Sequence, residues 1–251
     1  VDFYSLSNLA YIIRIIVFEM IKLSIIIPAY NEEKTIIKIL EKVNKVKIEG
    51  VEKEIIVIDD CSNDNTLYLL ENNNHLYNEL IKSSKNNGKG AAVKKGLLKA
   101  KGQYILFQDA DLEYDPNDYV KLIEPILRFN ADVVMGSRLS APQFTRVYYF
   151  WHKIGNRLIT LIFNILNNTT FTDIYSCYLL FKSDLINPSK LVTDGWEQQA
   201  EILSIVVSKA NSLYEVPINY YGRTYEEGKK IRASNVISVL LTIFLKKIFS
   251  R

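Results

Sequence analysis

No stretch of this 251-residue chain reaches the roughly 18 uninterrupted apolar residues that a membrane-crossing helix needs. Two come partway. Residues 9–21 are broken by Arg14 and Glu19 and lack a signal-peptide cleavage pattern. They read as an amphipathic appendage or as a misassigned start, since Met20 stands directly before the first strand pattern. Residues 236–251 are apolar and end on Lys246, Lys247 and Arg251, a pattern that suits a helix packed on the core or lying in a membrane interface. Cysteine is scarce as well: Cys61 and Cys177 have no metal-type spacing and fit a reducing compartment rather than a disulfide framework. A net charge of +3, with basic residues spread along most of the chain, gives no case for a nucleic-acid partner. Internal repeats and low-complexity linkers are also missing, and the short run Asn72-Asn73-Asn74 reads as composition bias.

With 48% hydrophobic and 24% charged residues, the chain has the composition of one large globular domain, expected over residues 22–251. Short Ile- and Val-rich runs at residues 23–27, 54–58, 104–107 and 132–135, bounded by turn residues, predict buried strands. Helical patterns at 32–46, 65–80, 90–101 and 116–129 alternate with them, so the first half reads as βαβαβαβ on a parallel sheet. After Arg138 the pattern changes to a long helix from about residue 146 to 166 and short strands near 178–181 and 213–221. This divides the domain into a ligand-binding half (22–138), an acceptor half (139–235) and a C-terminal helix (236–251).

The predicted strand 104–107 runs into Gln108-Asp109-Ala110-Asp111-Leu112-Glu113. Side chains two apart on extended chain point the same way, so Asp109 and Asp111 can face one ligand. Carboxylates gathered at a buried strand end repel each other and are costly to desolvate, and a hard cation relieves both problems. Alone, an Asp-x-Asp is equally compatible with a polar turn. The segments Pro28-Ala29-Tyr30-Asn31-Glu32 and Asp59-Asp60-Cys61-Ser62 fall at the carboxyl ends of other predicted strands, where α/β sheets bind ligands.

The ordered set Ile27-Pro28-Ala29-Tyr30-Asn31-Glu32-Glu33, Ile58-Asp59-Asp60-Cys61-Ser62, Asn87-Gly88-Lys89-Gly90, Asp109-Ala110-Asp111 and Gly136-Ser137-Arg138 resembles family 2 glycosyltransferases. The likeness is to the branch of dolichyl-phosphate mannose and glucose synthases, and it continues through Thr172-Asp173 to Gly222-Arg223 and Lys229. It implies a Rossmann-like, GT-A type α/β fold with a mostly parallel sheet. The resemblance further implies that Pro28, Tyr30, Glu32, Ile58 and Asp60 line the nucleotide, and that Asp109 and Asp111, with Ala110 between them, hold Mg²⁺ or Mn²⁺ on its diphosphate. Glu113 matches a position where relatives often carry a third ligand, commonly Gln. Arg138, Arg223 and Lys229 match basic positions that contact donor or acceptor phosphate. Cys177 stands where many relatives place Gly, so the acceptor pocket is expected to differ from theirs.

The activity expected from this likeness is inverting sugar transfer from a UDP- or GDP-linked donor to a polyprenyl phosphate, by an enzyme that is cytoplasmic and peripheral at the membrane face. A phosphate acceptor is largely ionised near neutral pH and needs no side-chain base, because its second pKa is roughly 6. A sugar-hydroxyl acceptor, as in cell-surface polysaccharide synthesis, needs a carboxylate base; Asp173, Glu197 and Glu201 are the candidates. A catalytically silent scaffold is disfavoured by the intact acid cluster. A dinucleotide oxidoreductase is excluded on detail, since Val93 occupies the third glycine position after Gly88 and Gly90.

Overall fold

The computed structural model describes residues 20–140, 150–223 and 235–249. The N-terminal appendage (residues 1–19) and Lys229 lie outside the described residues. The described chain begins with β1 (Ile21–Ala29), whose central Ile25, Ile26 and Ile27 are fully buried, as expected of a strand covered on both faces. A tight turn leads to α1 (Ile36–Lys45), which buries Ile36, Ile39, Leu40 and Val43 at the i, i+3, i+4, i+7 spacing of one helix face. Then come β2 (Val51–Asp59), α2 (Thr66–Asn72), β3 (Glu79–Lys82), α3 (Lys89–Lys99), β4 (Tyr104–Phe107), α4 (Tyr119–Phe129) and β5 (Val133–Ser137). The second half supplies α5 (Phe150–Asn167), β6 (Leu179–Lys182), α6 (Gln198–Lys209), β7 (Leu213–Pro217) and α7 (Asn235–Phe249).

Among the described residues these strands form one seven-stranded sheet in the order β3-β2-β1-β4-β6-β5-β7. The parallel pairings of β1 with β2 and β4, of β2 with β3, and of β5 with β7 bear out the mostly parallel sheet. Strand β6 is the exception, running antiparallel between β4 and β5. Sequence-adjacent β4 and β5 are thus neighbours of β6 and not of each other.

The helix expected over residues 65–80 is shorter than its pattern. The side-chain amides of Asn72 and Asn73 donate to the carbonyls of Tyr68 and Leu69, both at 2.8 Å, and Asn73 caps the helix. Such local bonds compete with helix propagation. Asn78 then clamps the chain onto β2: its amide donates to Ile55 O at 2.9 Å and its side-chain oxygen accepts Ile55 N at 2.7 Å. That clamp sets the register of edge strand β3, which the sequence pattern did not reveal. The long helix expected from residue 146 is described from Phe150 onward, and the strand expected over 213–221 ends at Pro217. Among the described residues no helix is long and apolar enough to cross a membrane.

Helix α3 lies close on the sheet because Gly96 has no side chain. A Cβ there would stand 2.6 Å from Ile26 Cγ2 and 2.8 Å from Ile58 Cδ1, inside van der Waals contact. Overpacking a filled core costs about 1–3 kcal/mol, so Gly96→Val is expected to lower the urea midpoint by a corresponding amount with an unchanged denaturant slope. An unaltered midpoint would show that α3 is free to move off the sheet.

Candidate functional site

The carboxyl ends of β1, β2 and β4 form the floor of a cleft of about 330 Å³, large enough for a small-molecule ligand. Each strand leaves the sheet through a non-glycine residue in the left-handed region: Asn31 (φ 53°), Cys61 (φ 63°) and Leu112 (φ 64°). This backbone is costly for Leu and Cys and is tolerated where the surroundings dictate it. Leu112 turns the chain so that the Glu113 amide donates to Asp111 Oδ1 at 3.1 Å.

Two cations from distant segments meet the acids. Lys89, the first residue of α3, places its Nζ 2.5 Å from Asp109 Oδ1 and 5.4 Å from the centre of the Trp196 ring. Arg223 Nη2 lies 2.6 Å from Asp111 Oδ2, its Nε 3.4 Å from Glu113 Oε1 and its Nη1 3.5 Å from Glu32 Oε2. Burial alone would lower the pKa of Lys89, but the Asp109 carboxylate beside it outweighs burial and raises it. Arg223 behaves likewise among Asp111, Glu32 and Glu113. Asp111 is pushed up to about 7, first by burial and then by the neighbouring charges of Asp109 and Glu113, against the pull of Arg223.

The facing wall comes from the second half of the chain. Arg138, just past β5, donates from Nε and Nη2 to both oxygens of the fully buried Asp173, at 2.7 and 2.9 Å, and lies 5.0 Å from the Tyr220 ring centre. Cys177 faces the cleft, and burial followed by the Asp109 charge raises its thiol pKa well above the ordinary value, which keeps it protonated. Tyr175, Trp196 and Gln199 complete this wall.

The described chain carries acids at the carboxyl ends of its central parallel strands and the ordered motifs from Ile27 to Arg223, and the model of glycosyl transferase family 2 matches residues 24–187. The chain belongs to glycosyl transferase family 2. Dolichyl-phosphate beta-glucosyltransferase of Saccharomyces cerevisiae is 32% identical over 228 residues, covering 81% of this chain and 68% of that protein. An uncharacterized protein of Methanocaldococcus jannaschii is 31% identical over 221 residues, covering 82% and 93% respectively. Among solved structures, glucosyl-3-phosphoglycerate synthase of Mycobacterium tuberculosis with phosphoglyceric acid superposes with a TM-score of 0.66 at 18% identity, over 90% of this chain and 80% of that one. The same synthase with Mn²⁺, UDP and glucosyl-3-phosphoglycerate gives 0.65 at 17%, over the same shares of each chain. The GT-A type fold is thereby established, and the protein is a glycosyltransferase.

Of the residues singled out in the transferase sequence, Pro28, Tyr30, Glu32, Asp60, Asp109, Ala110, Asp111, Glu113, Arg138 and Arg223 all line this one cleft. Ile58 does not: it is fully buried beneath α3, against the Gly96 backbone, and serves packing. The three-acid metal set is also corrected. Among the described residues no three His, Cys, Asp or Glu side chains are grouped closely enough to hold an ion. Glu113 is held instead by Tyr220 Oη at 2.7 Å and by the Arg223 amide at 2.7 Å. Asp109 and Asp111 still offer hard oxygen donors side by side at the cleft floor, and such a pair of carboxylates fits a divalent cation.

The three candidate bases of the second half do not line the cleft. Asp173 is sealed by Arg138, Glu201 is fully buried, and Glu197 does not line the cleft. The segment around Lys89 belongs to the ordered motif set, but its pairing with Asp109 and its contact with Trp196 were not legible in the sequence, and none of Trp196, Tyr175, Gln199 and Tyr220 was singled out there. The signal for the Trp196 contact is the pair of glycines flanking Lys89: a Cβ at Gly88 would stand 2.7 Å from Asp194 O, and one at Gly90 2.6 Å from Asp194 C. The motif is a backbone docking surface for the loop that carries Trp196.

The titration of Asp111 has a definite sign. Its pKa is about 7 in the folded, metal-free protein and about 3.9 in an unfolded chain. Between these values the native state holds a proton that the unfolded state releases, so this group's contribution to stability falls as pH rises through the window. Asp111→Asn abolishes that contribution. In chelator, the urea midpoint of the Asn variant should gain on that of the unsubstituted enzyme between about pH 4 and about pH 7. A pH-independent difference would contradict the assignment.

Proposed function

We propose that this glycosyltransferase moves a hexosyl group from a UDP-linked donor to a polyprenyl phosphate, with inversion at the anomeric carbon. The observation that carries the acceptor class is the makeup of the facing wall. Among the described residues every carboxylate lining the cleft comes from the donor half, whereas the wall from the second half presents aromatic, amide, thiol and guanidinium groups. An acceptor that needed deprotonation would lack a base there, and an ionised phosphate needs none. The name of the yeast relative, a dolichyl-phosphate glucosyltransferase, supports the lipid-phosphate acceptor, and the synthase complexed with UDP supports the UDP-linked donor.

In the proposed reaction an acceptor phosphate oxygen forms a bond to the anomeric carbon as the bond from that carbon to the diphosphate breaks on the opposite face. When bound at Asp109 and Asp111, Mg²⁺ or Mn²⁺ supplies charge neutralisation of the diphosphate. The protein's own part is positional. Arg138 is fixed by Asp173 and by the Tyr175 carbonyl at 3.0 Å, and so holds a guanidinium at the cleft without rotamer freedom to lose. Arg223 and Lys89, which pair with Asp111 and Asp109 at the cleft floor, would offer their cations to the phosphate oxygens of a donor bound there. With UDP-glucose and polyprenyl phosphate in detergent, label should pass to the lipid phase. Asp111→Asn should reduce kcat/KM by about 10²-fold or more, and Arg223→Ala should depress transfer to the lipid phosphate. Transfer to soluble sugar hydroxyls, with polyprenyl phosphate ignored, would replace this reading by polysaccharide synthesis; a response only to GDP-mannose would change the donor.

A lipid-borne acceptor requires an approach to the membrane, and two helices support one. Helices α5 and α7 pack on each other, contain no acidic residue, and expose Trp151, Ile165, Ile237 and Ile248, each more than three-fifths accessible. Lys153 and Arg157 are exposed among the apolar residues of α5. Each basic residue near an anionic surface contributes about 1 kcal/mol, and the contribution decays with salt. The protein should therefore sediment with anionic vesicles at low salt and release as salt rises. Trp151→Asp combined with Ile248→Asp should abolish sedimentation while UDP affinity stays unchanged; unaltered sedimentation would remove these helices from the membrane contact.

A further inference from the structure

Glu201, on the first turn of α6, is a fully buried carboxylate far from the acid cluster of the cleft floor. Four groups converge on it. Its oxygens accept the Val192 amide at 3.1 Å, the Thr193 amide at 2.9 Å and the Thr193 hydroxyl at 2.5 Å. The fourth is Lys246 Nζ at 2.5 Å, reaching in from α7. A carboxylate so enclosed stays charged because each of these partners favours the anion, and its pKa is lowered in spite of burial, the largest single influence.

What this pair holds is the segment before α6. Residue 194, next after the two bound amides, uses its carbonyl to accept Gly90 N at 2.8 Å and Ala91 N at 3.2 Å, the free amides of the first turn of α3. Lys94 from the same helix donates to Leu191 O at 2.6 Å. Two residues beyond Asp194, Trp196 puts its ring beside the Lys89 ammonium and its carbonyl 3.0 Å from Tyr175 Oη. A continuous chain of contacts thus runs from α7, through Glu201 and Thr193, to the Asp194 carbonyl and the start of α3, where Lys89 meets Asp109.

We infer that Glu201 and Lys246 are positioning residues for the donor cleft: the pair clamps residues 192–194 onto the N-terminus of α3 and thereby sets Lys89 and Trp196 at the ligand. Neither residue touches the cleft, so neither binds the donor directly. Removing the Lys246 ammonium leaves a buried charge held only by neutral donors, and the 192–194 segment is the part that can move to hydrate it. The inference rests on the cleft being the donor site, and the two readouts below separate the two ideas.

The chain has two tryptophans, so in a Trp151→Phe background excitation at the red edge selective for tryptophan reports Trp196 alone. In that background Lys246→Met and Glu201→Gln should shift the emission of ligand-free protein to longer wavelength as the ring loses its seat. With Mg²⁺ present, both should raise the UDP dissociation constant and the donor KM by about 10-fold to 100-fold, the range typical of groups that orient a binding site from behind, with a smaller change in kcat. Lys246→Arg should restore both emission and affinity. Lys246 is partly accessible, so its Met variant remains informative if Glu201→Gln fails to fold. Unchanged emission and unchanged UDP affinity in Lys246→Met, with only a lower melting temperature, would reduce the pair to a structural tie. If the parent protein itself binds no UDP, the donor reading falls, and the Trp196 emission still decides the clamp.

Discussion

Three carboxylates at the end of one short strand stay together because two cations reach them from far along the chain. Asp109 is met by Lys89, and Asp111, Glu113 and Glu32 are met by the single guanidinium of Arg223. In a partly dry cleft the self-repulsion of such acids is expensive, and losing a partner is worse than never having had one. The rest of the site follows from this compensation. Arg223 ties the ends of β1 and β4 to the segment after β7, so one interaction sets the spacing between the cleft floor and the chain that closes it. The pKa of Asp111 stays raised, first by its burial and then by the charges of Asp109 and Glu113, in spite of Arg223.

The same arrangement accounts for the character of the facing wall. Arg138 would be an unpaired buried charge without Asp173, and the acid that neutralises it cannot also serve as a base. Family membership accounts for the sheet, whereas the solved neighbours at 17–18% identity share the fold and leave the cleft wall of the second half to be argued from its own residues.

Much of the fold was legible in the sequence where burial dominates. The Ile- and Val-rich runs of β1, β2 and β4 are buried on both faces, and nothing else competes to form them. Strand β3 was hidden because its residues are only half covered and its register is dictated by Asn78 bonding to Ile55, a contact between segments. The antiparallel insertion of β6 left no local trace either, since direction in a sheet is a property of connections. In the site, the residues picked out at strand ends converge on one cleft, whereas Ile58 lies beneath α3: alternation along a strand does not say which face is lined by a cavity and which by a helix. Glu201 shows the converse. Its sequence context resembles that of a solvent-facing helical acid, and only the approach of Lys246 and the Thr193 amide makes it a buried anchor.

The position of β6 has a consequence for how this domain can be divided. Residues up to Arg138 contain the acid cluster and five of the described strands, and they invite excision as a nucleotide-binding module. In the sheet, however, β4 and β5 are joined only through β6, which the chain reaches after α5. A fragment ending at Arg138 would leave β4 with one bare edge and β5, which pairs only with β6 and β7, with none of its neighbours, where the intact protein has a continuous ladder; bare edges of this kind promote intermolecular pairing. The family match, running to residue 187, extends just past this strand. The smallest autonomous unit of the fold is therefore set by hydrogen-bond closure of the sheet, and not by where the ligand-contacting residues stop.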